Sequence, residues 1–199
     1  MAAPFFTAWR EQRRLKRAAA AYVQGLLAEP DAEDVDWLSA VATGGDVDRA
    51  RWELRYARRA AGLLSAERDA LDDRTASAVA HELDESWAGD RNIAAGMRHI
   101  AERQFNARLA ALGHAIGARS SPEPTGTRIG RALLMSAGAM APAASETDRA
   151  GAIVARYLEL ANESLRRLFG TATLPENIPP SAAQRATGTK GPGSEGRDP

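Results

Sequence analysis

Apolar residues recur at steps of three and four along most of this chain, from Phe5 to Phe169. No segment alternates β-branched and polar residues as a strand would. The spacing predicts a run of helices. The first covers Pro4 to Ala28, with Leu15, Ala18, Tyr22 and Leu26 at helical intervals. Pro4 suits a helix start, and Pro30 stops the helix by disfavouring helical geometry at the residue before it. A short second helix runs from Ala32 to Ala42. Asp31, Glu33 and Asp34 crowd its first turn, where negative charge complements the helix dipole, and Gly44-Gly45 ends it.

The third helix opens on Asp46, a good N-cap, and spans 46–71. Val47, Ala50, Leu54, Ala57, Ala61, Leu64 and Leu71 form the clearest amphipathic seam in the chain, and its small residues imply close approach of a neighbour. Asp72-Asp73 marks a kink or a fresh start, after which Val79, Leu83 and Trp87 share one face. A fifth helix follows Gly89-Asp90, its stripe running through Ile93, Met97, Ala101, Phe105, Leu109 and Ile116 to about Ala118. Arg119 to Gly126 reads as a loop. The sixth helix, Thr127 to Met140, carries Ile129, Leu133, Ser136 and Met140. It has no acid and two arginines, which predicts burial, and Pro142 ends it. Ser145 to Asp148 has the form of a capping box with Asp in the place of Glu. It introduces a seventh helix bearing Val154, Tyr157, Leu158, Ala161, Leu165 and Leu168, closed by Gly170.

The expected fold class is therefore all-α, a multi-helix bundle of about six or seven helices with short connections, forming one domain over residues 1–170. No fixed-period repeat is present. From Thr171 five prolines, four glycines and hydroxyl residues leave little to bury, and a disordered tail is expected over 171–199.

Composition narrows the function more than it names one. The chain has 199 residues, 44% hydrophobic and 26% charged, enough for a sizeable core. Basic and acidic residues number 26 each, so no global charge draws the molecule to nucleic acid or acidic membranes. Only Lys16 and Lys190 are lysines, and the other basic residues are arginines, whose planar fork suits carboxylate and phosphate. The absence of cysteine excludes disulfides, thiolate metal sites and a cysteine nucleophile. The N-terminus lacks the uninterrupted apolar stretch of a signal peptide. The longest weakly polar run, Ala132–Ala144, falls short of the roughly 20 residues a spanning helix needs. A soluble, cytoplasmic protein is the expectation.

Catalytic vocabulary is sparse. A di-metal bundle site wants Glu-x-x-His on two helices and a glutamate from each of two more. The nearest approach is His99 with Glu102, in reversed order and off the apolar stripe. His81 adjoins Glu82 off its helix's apolar face, His114 has no acid at helical spacing, and Glu53 and Glu67 do not clearly share a face. These side chains are read as a solvated polar surface, with no metal and no cofactor expected. No Gly-x-Ser-x-Gly turn follows a strand. Gly188-Thr189-Lys190-Gly191 lacks phosphate-loop spacing and a following helix.

Three surfaces stand out instead. Phe5, Phe6 and Trp9 precede Arg10, Arg13, Arg14, Lys16 and Arg17, a pattern shared by helices that lie weakly on membranes and by helices that plug into a core or a partner. On the third helix Arg49, Arg51, Arg55, Arg58 and Arg59 interleave with Trp52 and Tyr56. That flank could touch nucleic acid, but Asp46 and Asp48 sit at the helix start, where a recognition helix meets DNA. The other reading is a basic flank answering acids of a neighbour such as Glu82, Asp84 and Glu85. The Trp52–Tyr56 pair, one turn apart, sits beside the seam, where it would pack against another helix or line a ligand groove. The leading expectation is a non-enzymatic interaction protein (adaptor, scaffold or accessory subunit) that self-associates through its first or third helix. Its expected surface is Phe5, Phe6, Trp9, Arg51, Trp52, Arg55, Tyr56 and Arg59. A bundle enzyme or carrier with a cryptic metal or cofactor site is second, and nucleic-acid binding through the helix at 46–71 third.

Overall fold

The computed structural model describes the chain over residues 3–170 apart from 71, 95 and 119, with side chains from residue 8 onward. Within these residues the protein is all-helical: α1 (Ala3–Leu26), α2 (Ala32–Ala42), α3 (Val47–Asp69), α4 (Asp73–Gly89), α5 (Arg98–Gly117), α6 (Thr125–Ala137) and α7 (Ala144–Phe169). The expected tail at 171–199 and the last seam residue, Leu71, lie outside the described residues. No helix among the described residues is long and apolar enough to cross a membrane.

The third helix is the axis of the bundle. It packs against all six of the others. Every residue from Glu53 to Ala57 and from Arg59 to Leu63 is buried. The seam at Ala50, Leu54, Ala57 and Ala61 is buried as expected, but Val47 at its start is exposed. Enclosure on all sides explains the small residues, because a central helix must admit neighbours on several faces. On the α1 side, Tyr22 donates its hydroxyl proton to the Gly62 carbonyl at 2.8 Å. A methyl added to Gly62 would run into the Leu26 side chain.

Helix ends follow local chemistry. The Asp46 carboxylate accepts from the Arg49 amide at 2.9 Å, and the Asp72 carboxylate accepts from the Thr75 amide at 2.7 Å. The acidic pair at 72–73 is thus a fresh helix start.

The first helix ends at Leu26 rather than Ala28, and α6 starts at Thr125, inside the expected loop. Three further boundaries differ from the spacing argument. Residues 90–94, 96 and 97 are non-helical, and α5 begins only at Arg98. The Asp90 carboxylate accepts from the backbone and side-chain nitrogens of Asn92, and Gly96 has φ +82°, so helical geometry is broken twice in eight residues. The sixth helix stops at Ala137 because Gly138 adopts a left-handed φ of +117°, well before Pro142. Met140, expected on its buried stripe, is 96% exposed. The seventh begins two residues earlier than the Ser145 cap: the Glu146 carboxylate accepts the Ala143 amide at 2.8 Å.

The tightest contact joins α6 to α7. Gly126 and Gly130 on one helix face Thr147 and Gly151 on the other, two pairs at four-residue spacing. A methyl on Gly130 would lie 2.6 Å from the Gly151 nitrogen and closer still to the Thr147 carbonyl oxygen. One on Gly151 would lie 2.5 Å from the Gly126 carbonyl oxygen.

A groove between α3, α5 and the 90–97 segment

Where α3 and α5 face each other the packing is different. Long side chains fill the space between them and leave an open groove of about 450 Å³. Its α3 side is Arg49, Trp52, Glu53 and Tyr56. Ile100, Ala101, Gln104 and Arg108 of α5 face them, and the end is formed by Asn92, Ile93, Ala94 and Met97. The turns that precede α5 place Ile93 and Met97 at the rim of the groove. Met97 is 47% exposed.

Beneath the groove lies an ion pair that spacing alone did not reveal. Glu53, taken from the sequence as part of a solvated face, is buried. Its two oxygens accept from Arg108 Nε at 2.9 Å and Nη2 at 2.6 Å, a bidentate bridge, and Nη2 also reaches the Ser136 carbonyl at 3.3 Å. The bridge holds the Arg108 guanidinium in its charged form. The Tyr56 hydroxyl donates to Gln104 Oε1 at 3.0 Å. Burial first, then the nearby Glu53 charge, raises its pKa, so it remains a neutral donor.

A second buried pair anchors the end wall. Arg59 donates to Asp90 at 2.7 Å, with side chains only 4% and 8% exposed. The guanidinium carbon sits 4.3 Å from the centre of the Trp87 ring, while Nε and Nη1 find no hydrogen-bond partner among the described residues. Burial pushes the Asp90 carboxyl up, but the hydrogen bonds from Arg59 and Asn92 and the Arg59 charge outweigh it, leaving Asp90 below the ordinary carboxylate value. The aromatic rings Trp52, Tyr56, Trp87 and Phe105 follow one another inward at centroid distances of 5.5, 6.2 and 5.3 Å. They link the exposed lip of the groove to the core.

The residues singled out from the sequence divide sharply. Trp52 and Arg51 are half-exposed on the α3 flank. Arg55, Tyr56 and Arg59 are buried. Arg55 pairs with Glu29 at 2.5 Å and lies over Trp52, and Arg59 pairs with Asp90. The acids that answer the flank are therefore Glu29 and Asp90, not Glu82, Asp84 or Glu85. Trp9 is 50% exposed with Arg13 over its ring, on a stretch of α1 (residues 8–14) exposed on every face. Trp9, Gln12, Arg13, Leu15 and Lys16 face Ala78, His81 and Glu82 across a second hollow of about 490 Å³. The side chains of Phe5 and Phe6 lie outside the described residues.

His81, His99 and His114 are exposed and far apart in role, and no three metal-ligating side chains gather among the described residues. Outward-pointing charge, expected throughout, also fails at Asp34, which is buried against Arg156 of α7. No family model matches the chain, and no curated protein or solved structure resembles it.

Proposed function

We propose that this chain is a non-enzymatic helical interaction protein, an adaptor, scaffold or accessory subunit, whose recognition site is the groove between α3 and α5. The observation that carries the reading is the contrast inside that groove. Apolar side chains (Trp52, Ile93, Met97, Ile100) line an open, preformed depression, while its acid, Glu53, is locked in a bidentate bridge to Arg108. Depressions that mix apolar anchors with a few polar groups are where proteins bind. Both Glu53 oxygens already accept hydrogen bonds from Arg108, and Tyr56, its pKa raised by burial, is a poor proton donor. Self-association belongs to the projecting half of α1 in this reading, because α3 is enclosed and offers only its Trp52 edge.

The test compares the full chain with a Trp52→Ala/Met97→Glu variant as immobilised baits in lysate of the source cells. A protein retained by the first and lost from the second, with unchanged circular dichroism, is the expected result. Identical retention on both baits overturns the assignment of the groove. Sedimentation of the full chain against a chain lacking residues 1–17 tests the α1 contact; a monomer in both cases removes it.

A further inference from the structure

We propose that the occupant of the α3/α5 groove is an acidic amphipathic peptide segment of a partner protein, one that sets a bulky apolar side chain beside carboxylates. The proposal rests on the reading of the groove as an interaction site and adds the chemistry of what enters it.

The argument is an inventory of hydrogen-bonding capacity. Arg49 lines the groove, is exposed, and its guanidinium has neither ion pair nor hydrogen bond among the described residues. Arg108 spends Nε and Nη2 on Glu53 and Ser136, which leaves the two protons of Nη1 uncommitted among the described residues. Gln104 accepts from Tyr56 through its oxygen, so its amide nitrogen remains a donor. On the acceptor side, each Glu53 oxygen already accepts from Arg108. Asn92 gives its amide nitrogen to Asp90, and its oxygen is the one side-chain carbonyl in the lining that accepts no hydrogen bond among the described residues. Donors and positive charge are in surplus. An occupant that supplies acceptors and negative charge satisfies them; a basic occupant would leave them facing like charge.

The adjacent shallow hollow on the other side of Trp52 makes the contrast. There Arg51 is paired with Asp48 at 2.6 Å and Arg55 with Glu29 at 2.5 Å, so its arginines are already answered. The surplus is confined to the side of Trp52 where Ile93, Met97 and Ile100 supply an apolar wall.

Shape selects a peptide. The α5 wall runs from Ile100 to Arg108, which at 1.5 Å per residue is roughly 12 Å, a little over two helical turns. That length matches anchors at helical spacing on an amphipathic segment lying along the groove. Nucleic acid asks for a run of exposed cations following the phosphates. Here Arg55 and Arg59, which would extend such a run, are buried and paired.

The experiment is selection of a random peptide library on the full chain, followed by affinity measurement of the enriched peptides on variants. Enriched sequences are expected to place Asp or Glu next to Leu, Phe or Trp. Arg49→Glu, an exposed substitution that leaves the core untouched, should weaken them by about tenfold or more, and Trp52→Ala similarly. Arg167→Glu, the same charge change on the exposed last turn of α7, should not weaken them. Peptides that need Trp52 but are basic or neutral, or that ignore Arg49→Glu, overturn this inference while leaving the groove a binding site. Peptides indifferent to Trp52→Ala overturn the groove itself. Binding of an apolar anion such as a naphthalene sulfonate, with no peptide enriched, overturns the peptide as occupant.

Discussion

Two helix contacts in this bundle are built in opposite ways. At α6/α7 the helices meet backbone to backbone: Gly130 and Gly151 lie so close to the other helix that a single added methyl would collide with the carbonyl oxygen of Thr147 or Gly126. At α3/α5 side chains are long and charged, and Glu53, Tyr56, Gln104 and Arg108 hold the helices apart through hydrogen bonds. The first contact leaves no space and offers no chemistry. The second leaves a groove with donors facing outward. In one small protein, close approach supplies rigidity on one side, and polar spacers on the other side supply a surface that can bind.

The largest expected effect tests the first half of that contrast. Gly130→Ala would ordinarily favour a helix, by about 1 kcal/mol of propensity. Here the added methyl meets fixed backbone rather than the end of a flexible side chain. We expect a loss on the order of 4 kcal/mol, at the exceptional end for one substitution. Chemical denaturation reads it directly. A stabilised Gly130→Ala variant would mean that the two helices are not in backbone contact.

The second effect tests the charged side. Glu53→Gln keeps the shape and removes the charge that answers Arg108. Breaking a fully buried bridge costs about 3–5 kcal/mol, and because the Arg108 side chain is 23% exposed we expect less, about 2–3 kcal/mol. Replacing both residues together, Glu53→Leu with Arg108→Leu, should recover most of that loss, since a buried pair is often no more stable than its apolar substitute. If the double variant is as unstable as the single one, the bridge is not the cause. If Glu53→Gln changes nothing, the bridge is solvent-screened and the two contacts differ less than their geometry indicates.

How legible each contact was in the sequence follows from the same physics. Helical spacing is a local signal, so Val79, Leu83, Trp87, Val154, Tyr157 and Leu165 could be assigned to buried faces and are buried. The all-helical class rests on that signal, and so does the start of α4 at Asp72-Asp73. Tertiary pairing is not local. Glu53 and Arg108 are 55 residues apart, and nothing in the spacing of either helix marks them as partners. A central helix also defeats the amphipathic argument, which assumes one wet face; α3 buries Arg55 and Arg59, which pair with an exposed Glu29 and with the buried Asp90 carboxylate. The break at 90–97 was masked because Ile93 and Met97 continue the periodicity of Ala101 and Phe105, although Gly96 was there to be read. The four-residue spacing of Gly126 with Gly130, and of Thr147 with Gly151, was a second signal present in the sequence.

The smallest effect concerns acid, and it sets the two sides against each other in one unmutated molecule. Asp90 is held below the ordinary carboxylate value, with burial opposing and the Arg59 and Asn92 contacts prevailing. A group whose folded pKa is depressed contributes stability that is complete above its unfolded value, about 3.9 for Asp, and fades as pH falls through the lower folded value. Protonating Asp90 leaves the Arg59 guanidinium buried without its counter-charge, two of its nitrogens already lacking partners among the described residues. The α6/α7 contact contains no ionisable group at its four close residues. Hydrogen exchange followed down through roughly pH 4 and below should therefore show early loss of protection over 90–97 and the first turn of α5. The amides around Gly130 and Gly151 should stay protected to lower pH. Asp90→Asn should show the same local loosening already at neutral pH, with little further change on acidification. Equal loss on both sides as pH falls would mean that the bundle opens as one unit, and the division drawn between its glycine contact and its charged contact would be one of appearance only.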